Sequence, residues 1–344
     1  MLVERLISII MSSLGLGLGV NRFFGRGQIT PLPDDFIIEV NTSLAGVSDS
    51  DQFQFTGAVG EYDVKAFQND TEVASFENLL NEQTITLPSA GIYELRVIPK
   101  ATGFDKLTFN NTGDRLKLLK VLNWGLYGVN EPIQGNAFNG CSNLSEISDN
   151  GKWFGVVTNG FRMFQLTSLT SLPSGMKLPL LTNGANMFVG NSLTSLPSGM
   201  ELPNLTDGRF MFLSNSLTSL PSGMELPLLT NGNTMFANNS LTSLPSGMEL
   251  PLLTNGRLMF SNNSLTSLPA GMELPLLSNG DSMFVNNTIN TDRYSQLLID
   301  LEANNNNNNV AFGGGNSQYN AQGEIARNAL IARGWTITDG GLEN

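Results

Sequence analysis

The chain has no histidine and a single cysteine, Cys141, in 344 residues. A Ser-His-Asp or Cys-His catalytic set, a histidine-ligated zinc and a four-cysteine zinc site therefore cannot be assembled within one chain. A disulfide framework is excluded with them, so burial and hydrogen bonding must supply the stability. Charge is scarce as well. Asp, Glu, Lys and Arg make up 14% of the residues, against about 25% in an average globular protein. No basic run occurs and the formal net charge is -12, which argues against nucleic acid as a partner because that affinity rests on neutralising phosphates. A long hydrophobic run is also missing. The apolar, uncharged stretch at residues 6–20, LISIIMSSLGLGLGV, would span about 22 Å as a helix, short of a roughly 30 Å hydrocarbon core, so an integral membrane protein is not expected.

That stretch lacks the marks of a cleaved leader: Glu4 cancels Arg5, and no small-residue cleavage motif follows. Residues 1–30 are read as a docking segment, with an export signal as the alternative. The GLGLG at 15–19 has no strand-helix context and no distant acidic partner, so it is not a dinucleotide site. No cofactor is implied.

From Phe36 to Leu107 short runs alternate apolar and polar residues: FIIEV, QFQF, YDVKAF, TITL and IYELRVI. Period two with turn residues between predicts a β-sandwich over 31–120. The segment SAGIYELRV, 89–97, resembles the late strand of PKD-like or immunoglobulin-like sandwiches. Residues 107–125 read as a joint, with Trp124 as a hydrophobic plug. Asp34, Asp35, Asp49 and Asp51 form at most a weak calcium candidate, since no spacing fits an EF-hand.

Internal repetition dominates the centre. Phe138, Phe164, Phe188, Phe212, Phe236, Phe260 and Phe284 are separated by 26 residues and then by 24 five times, and Pro173, Pro197, Pro221, Pro245 and Pro269 keep the same count. So regular a period predicts a solenoid. Leucines three apart in SLTSL, such as Leu193 and Leu196, fit the inward positions of a repeat strand. Three residues after each Phe stand Cys141, Thr167, Asn191, Asn215, Asn239, Asn263 and Asn287. A buried side chain there can bond to a carbonyl of the adjoining turn, so these residues form a candidate structural ladder and Cys141 is read as structural.

The segment AFNGCSNLSEI, 137–147, resembles the signature of the BspA-like, mycoplasma-type surface-protein repeat, an irregular leucine-rich repeat of microbial surfaces and phage-encoded proteins. Later units depart from it by losing one residue between Asn and Leu and by gaining S-G-M-E-L-P. The resemblance implies a leucine-rich-repeat solenoid over 121–290. The full expectation is mainly β with α/β elements: a sandwich, the solenoid, and a small α/β cap over 291–344. In that cap TDRYSQLLIDLEAN should be a helix with Thr291 as N-cap, followed by a strand in VAFGG, a helix near 321–332 and a strand in WTITDGG. The GWTITDGG ending resembles phage and bacterial proteins that carry such repeats.

Differences between repeats are unevenly placed. SLTSLPSGMELPLL hardly changes, whereas the two residues before each Met-Phe pair change every time: Phe161 and Arg162, Ala185 and Asn186, Arg209 and Phe210, Asn233 and Thr234, Arg257 and Leu258, Asp281 and Ser282. Stacked about 4.8 Å apart, six such turns would array these residues along roughly 25 to 30 Å. Arg, Asn and aromatic side chains suit sugars or a protein surface, so Phe161, Arg162, Asn186, Arg209, Phe210, Asn233, Thr234, Arg257, Leu258 and Asp281 form a candidate ligand-binding stripe. Unconstrained drift at exposed positions is the competing explanation. The recurring Thr194, Ser195, Thr218, Ser219, Thr242, Ser243, Thr266 and Ser267 are expected to satisfy one another across strands.

Glu201, Glu225, Glu249 and Glu273 recur as a carboxylate row headed by Lys177. Like charges in a row invite a cation, though a solvated row is the commoner outcome, and identical acids in a row do not supply the two environments that glycoside hydrolysis needs. The expected function is therefore non-enzymatic adhesion: a phage virion fibre or spike component binding a host-surface glycan or protein receptor, joined to other virion proteins through residues 1–30, with assembly as a homo-oligomer left open. A bacterial surface or secreted adhesin is the alternative, and a carbohydrate-active enzyme a second.

Overall fold

The computed structural model describes residues 34–128 and 135–343. The expected attachment segment at 1–30 lies outside the described residues.

The alternating runs at the start form strands. These are β1 (Phe36–Asn41), β2 (Gln52–Gln54), β3 (Val59–Gln68), β4 (Thr71–Leu80), β5 (Thr84–Thr86), β6 (Ile92–Lys106), β7 (Leu118–Asn123) and β8 (Glu146–Ile147). Their period of two puts Phe36, Ile38 and Val40 of β1 and Tyr93, Leu95 and Val97 of β6 in the core. The antiparallel register sets Phe36 opposite Val97 and Val40 opposite Tyr93. Asn69 and Asp70 connect β3 to β4 with φ of 47° and 60°, the left-handed pair that a two-residue hairpin requires. One sheet has the order β4-β3-β6-β1-β7-β8, and β2 pairs separately with β5. Rings tie the two sheets together: Phe55 lies 5.4 Å from Tyr62, which lies 4.9 Å from Phe104.

The repeat region corrects the expected fold class. Among the described residues the strands lie in open sheets, and the leucine-rich-repeat solenoid with α/β elements is not found. Beyond the two-residue β8, the SLTSL segments form no strand. The physical reason is local. Where consecutive SLTSL segments adjoin, the serine amide reaches the preceding leucine carbonyl at ordinary length, Ser216 N to Leu193 O at 2.9 Å, but the next contact is stretched, with Thr194 N to Thr170 O at 3.3 Å and Thr218 N to Thr194 O at 3.4 Å. Each Met-Phe pair is also flanked by left-handed residues, such as Asn186 and Gly190, which interrupt an extended ladder. What remains are turns linked by single-residue bridges, Asn159 to Asn183 and onward to Asn279.

These turns nevertheless lie in register, one layer per repeat. Phe164, Phe188, Phe212, Phe236, Phe260 and Phe284 stack with ring centroids 5.5–5.7 Å apart and planes within 8°. The Met-Phe pairs from Met163 to Phe284 are fully buried. Around each pair the backbone bonds run one way: the amides of Gly160, Arg162, Phe164 and Leu166 donate to the carbonyls of Asn183, Ala185, Met187 and Val189 in the next layer. At the start of the stack, the amides of Phe109, Asn110 and Asn111 meet the carbonyls of Ala137, Asn136 and Asn139. At its end, Gly280 and Phe284 donate to Ala311 and Gly313.

The last segment comprises α1 (Thr291–Asn304), β9 (Ala311–Gly313), α2 (Ala321–Ala332) and β10 (Thr336–Thr338), with β9 and β10 parallel. The N-cap of α1 is Asn290 rather than Thr291, because its side chain accepts from the Arg293 amide. Tyr294, Leu297, Leu298 and Leu301 form the buried face. Within the asparagine run, Asn305 donates to the carbonyls of Leu274 and Leu277, both at 2.9 Å. A single apolar core continues from Phe36 through the layers to Trp335. At its first junction, Trp124 is fully buried, sits 5.7 Å from the Phe138 ring and donates to the Ser148 carbonyl at 2.8 Å.

Candidate recognition stripe

The inner frame of each layer is set by the asparagine three residues after Phe. Asn239 accepts from the Leu217 amide at 3.0 Å and donates to the carbonyls of Phe212 and Phe236 at 2.9 and 3.1 Å. Asn191, Asn215, Asn263 and Asn287 repeat the arrangement, so one carboxamide joins two layers. Thr167 donates to the Phe164 carbonyl in the same position. Cys141, at the head of the column, is fully buried, and burial pushes its thiol well above the ordinary range, which leaves little nucleophilic thiolate.

A second column fixes the turn before the variable pair. The side-chain oxygens of Asn159, Asn183, Asp207, Asn231, Asn255 and Asn279 each accept from the amide two residues on. Beside it Thr182, Thr206, Thr230 and Thr254 each donate at 3.0 Å to the carbonyl of the preceding layer's threonine. The cross-layer hydroxyl bonds therefore lie here. The expectation that Thr194, Ser195, Thr218, Ser219, Thr242 and Ser243 bond one another is not met: these side chains are exposed and, among the described residues, donate to no neighbour.

Between these frames stand the variable residues. The second of each pair adopts a left-handed backbone in every layer: φ is 54° at Arg162, 61° at Asn186, 60° at Phe210, 59° at Thr234, 55° at Leu258 and 55° at Ser282. This conformation costs roughly 1–2 kcal/mol for an ordinary side chain and suits Gly or Asn, yet no glycine occurs here and one Asn does.

The stripe residues are brought into one line but not into one environment. Arg162, Arg209 and Arg257 are exposed, while Phe161, Asn186, Phe210, Asn233, Leu258 and Asp281 are half-buried. Thr234 is 8% exposed and bonds the Asn233 side chain, so it contributes little surface. The Arg162 guanidinium lies 4.8 Å from the Phe161 ring centroid. Arg209 pairs with Asp207 and Arg257 with Asp281 of the next layer, both at 3.3 Å.

Elsewhere the chemistry is sparse. Glu201, Glu225, Glu249, Glu273 and Lys177 are exposed, and no group of three acidic or thiol side chains converges for a metal among the described residues. The proposed calcium region holds a different cation. Lys117, fully buried, donates to the carbonyls of Ser48, Asp49 and Gln52 at 3.0, 2.8 and 2.9 Å, while Asp114 accepts from the amides of Val47, Ser48 and Gln54. Sequence reading missed this pair, whose signal is the D-x-x-K spacing in an otherwise charge-poor chain. It also missed the left-handed positions, because Phe, Thr and Leu give no hint of them. No described helix is long and apolar enough to cross a membrane. Compared with family models and with curated proteins, the chain finds no match.

Proposed function

We propose that this is a non-enzymatic surface recognition protein whose variable stripe contacts a host-surface receptor, as a fibre or spike component on a virion surface attached through residues 1–30. The observation carrying this reading is the set of bulky side chains held in left-handed backbone at the positions that differ between repeats. Drift at sites of no consequence would relax towards Gly or Asn, which remove the strain. Strained backbone of this kind clusters at functional sites. The neighbouring frame of asparagine and threonine bonds is invariant in geometry, so side chains in the stripe can differ without disturbing the layers. The exposed arginines and half-buried aromatics are the residue types that anchor interfaces.

The test is binding of the full chain to host cells, compared with a variant changing Arg209, Phe210, Arg257 and Leu258 to Ala. The expected loss is at least about tenfold in affinity, with the melting temperature held; equal binding by the two proteins removes the stripe. Mass spectrometry of the native N-terminus tests the attachment role, because removal of the first twenty or so residues would favour an exported adhesin.

A further inference from the structure

Basic side chains are rare in the layers, and their placement is regular. Residues 156–290 contain Arg162, Lys177, Arg209 and Arg257 as their only cations. Lys177 heads the glutamate row, and the other three all stand on the stripe. They occupy the layers of Phe164, Phe212 and Phe260, Arg209 and Arg257 as the first residue of the variable pair and Arg162 as the second, so a guanidinium recurs in every second layer, with a rise of about 10 Å at two inter-strand distances. Each is paired within its layer with a large apolar residue: Phe161, Phe210 or Leu258. The layers between carry Ala185 with Asn186 and Asn233 with Thr234, and the stripe ends on Asp281 with Ser282. Thus one period of the surface is two layers long: a cation with an apolar neighbour, then an uncharged amide.

One guanidinium is open to an anion, and the other two hold exposed carboxylates that an incoming anion can replace. Arg162 rests on the Phe161 ring, which leaves its N–H edges free to donate. Arg209 and Arg257 engage Asp207 and Asp281 through Nε, in pairs whose side chains are 27–48% exposed. Exposed pairs of this kind contribute little and exchange readily, whereas a planar guanidinium binds a carboxylate through two parallel bonds. An apolar side chain beside it covers the C–H face of a sugar ring, and the amides of Asn186 and Asn233 match sugar hydroxyls. One pyranose in an extended chain advances by a length close to one layer, so a disaccharide spans two.

We propose that the stripe binds a linear acidic polysaccharide with a disaccharide repeat bearing one carboxylate per repeat, laid along the stack. This rests on the recognition reading above and names its ligand class. Three arginines engage three successive carboxylates, and Asp281 ends the register, so about six sugars fill the site.

The probe is hyaluronan, which carries a carboxylate on alternate sugars, measured by calorimetry with the full chain at physiological salt. Polygalacturonate, with a carboxylate on every sugar, and neutral dextran serve as comparisons. Affinity for hyaluronan oligomers is expected to rise up to six sugars and then level, to exceed that for polygalacturonate, and to be absent for dextran. The decisive variant combines Arg209→Asn with Asn233→Arg, which keeps composition and net charge while moving one cation a single layer; it should bind hyaluronan at least about tenfold more weakly. The proposal is overturned if this double variant binds as the parent does, if polygalacturonate binds as well as hyaluronan, or if no acidic polymer binds. A parallel panel of neutral glycans separates the two readings. If a neutral glycan binds and the four-alanine variant loses it, the carboxylate register falls and the stripe stands. If the four-alanine variant keeps full binding to whatever the parent binds, the stripe falls too.

Discussion

Asn239 and Thr218 sit in neighbouring repeats, and both are polar residues that recur every 24 positions, yet they make very different demands on the fold. The Asn239 carboxamide bridges two layers; replacing it with Ala leaves buried carbonyls and an amide unpaired, at about 1–3 kcal/mol. Urea denaturation of Asn239→Ala should therefore lose stability in that range, while Thr218→Ala, which removes an exposed hydroxyl, should change it by no more than about 0.5 kcal/mol. Leu258 and Phe210 test the strain. With φ near 55° and 60°, Leu258→Asn and Phe210→Asn should hold or raise the melting temperature while weakening receptor binding, because Asn tolerates the left-handed backbone. A fall in melting temperature equal to that of a core truncation would show that these side chains serve packing instead. Cys141 should react with a thiol reagent only as fast as the chain unfolds, since its thiol is buried and held protonated.

At the scale of elements, Lys117 acts as a tethered cation inside a nest of loop carbonyls. Lys117→Met would leave the buried Asp114 carboxylate without its cation and the Ser48, Asp49 and Gln52 carbonyls without their donor, and the expected cost is about 3–5 kcal/mol, measurable by equilibrium unfolding. The sequence made much of this level readable. Alternation in FIIEV and IYELRV marked β1 and β6, and the i, i+3, i+4 pattern of Tyr294, Leu297, Leu298 and Leu301 marked α1. It misled where a pattern of spaced leucines has more than one solution. Leu193 and Leu196 are buried as an inward-facing strand would bury them, but burial alone does not make a hydrogen-bonded ladder, and the left-handed residues beside each Met-Phe pair steer the chain into turns. The helix start shifted by one residue for a similar reason: Thr291 and Asn290 are both competent caps, and only the Asn290 side chain is placed to reach the Arg293 amide. In the stripe, position along the chain was legible from repeat differences, whereas the burial of Thr234 depended on packing that no single repeat encodes.

For the whole molecule, the layers set a rule of counting. Each touches only its neighbours, so removal of residues 212–235, one full period, should preserve the core and lower stability only modestly, whereas removal of twelve residues should prevent folding; circular dichroism and thermal melting distinguish the two. The one-way run of amide bonds has a larger consequence. Around the Met-Phe column one end of the pile offers carbonyls and the other offers amides, while the threonine and serine amides run the opposite way, so each end fits the opposite end of another molecule, an association that never closes on itself. Phe109 to Asn111 and the Ala311–Gly313 strand occupy those ends within the chain. They therefore act as stoppers, and a fragment of residues 136–290, stripped of both, should grow into filaments visible by electron microscopy, each new subunit templated by the exposed face of the last, whereas a chain cut only after Asn290 should not, since its other end stays covered.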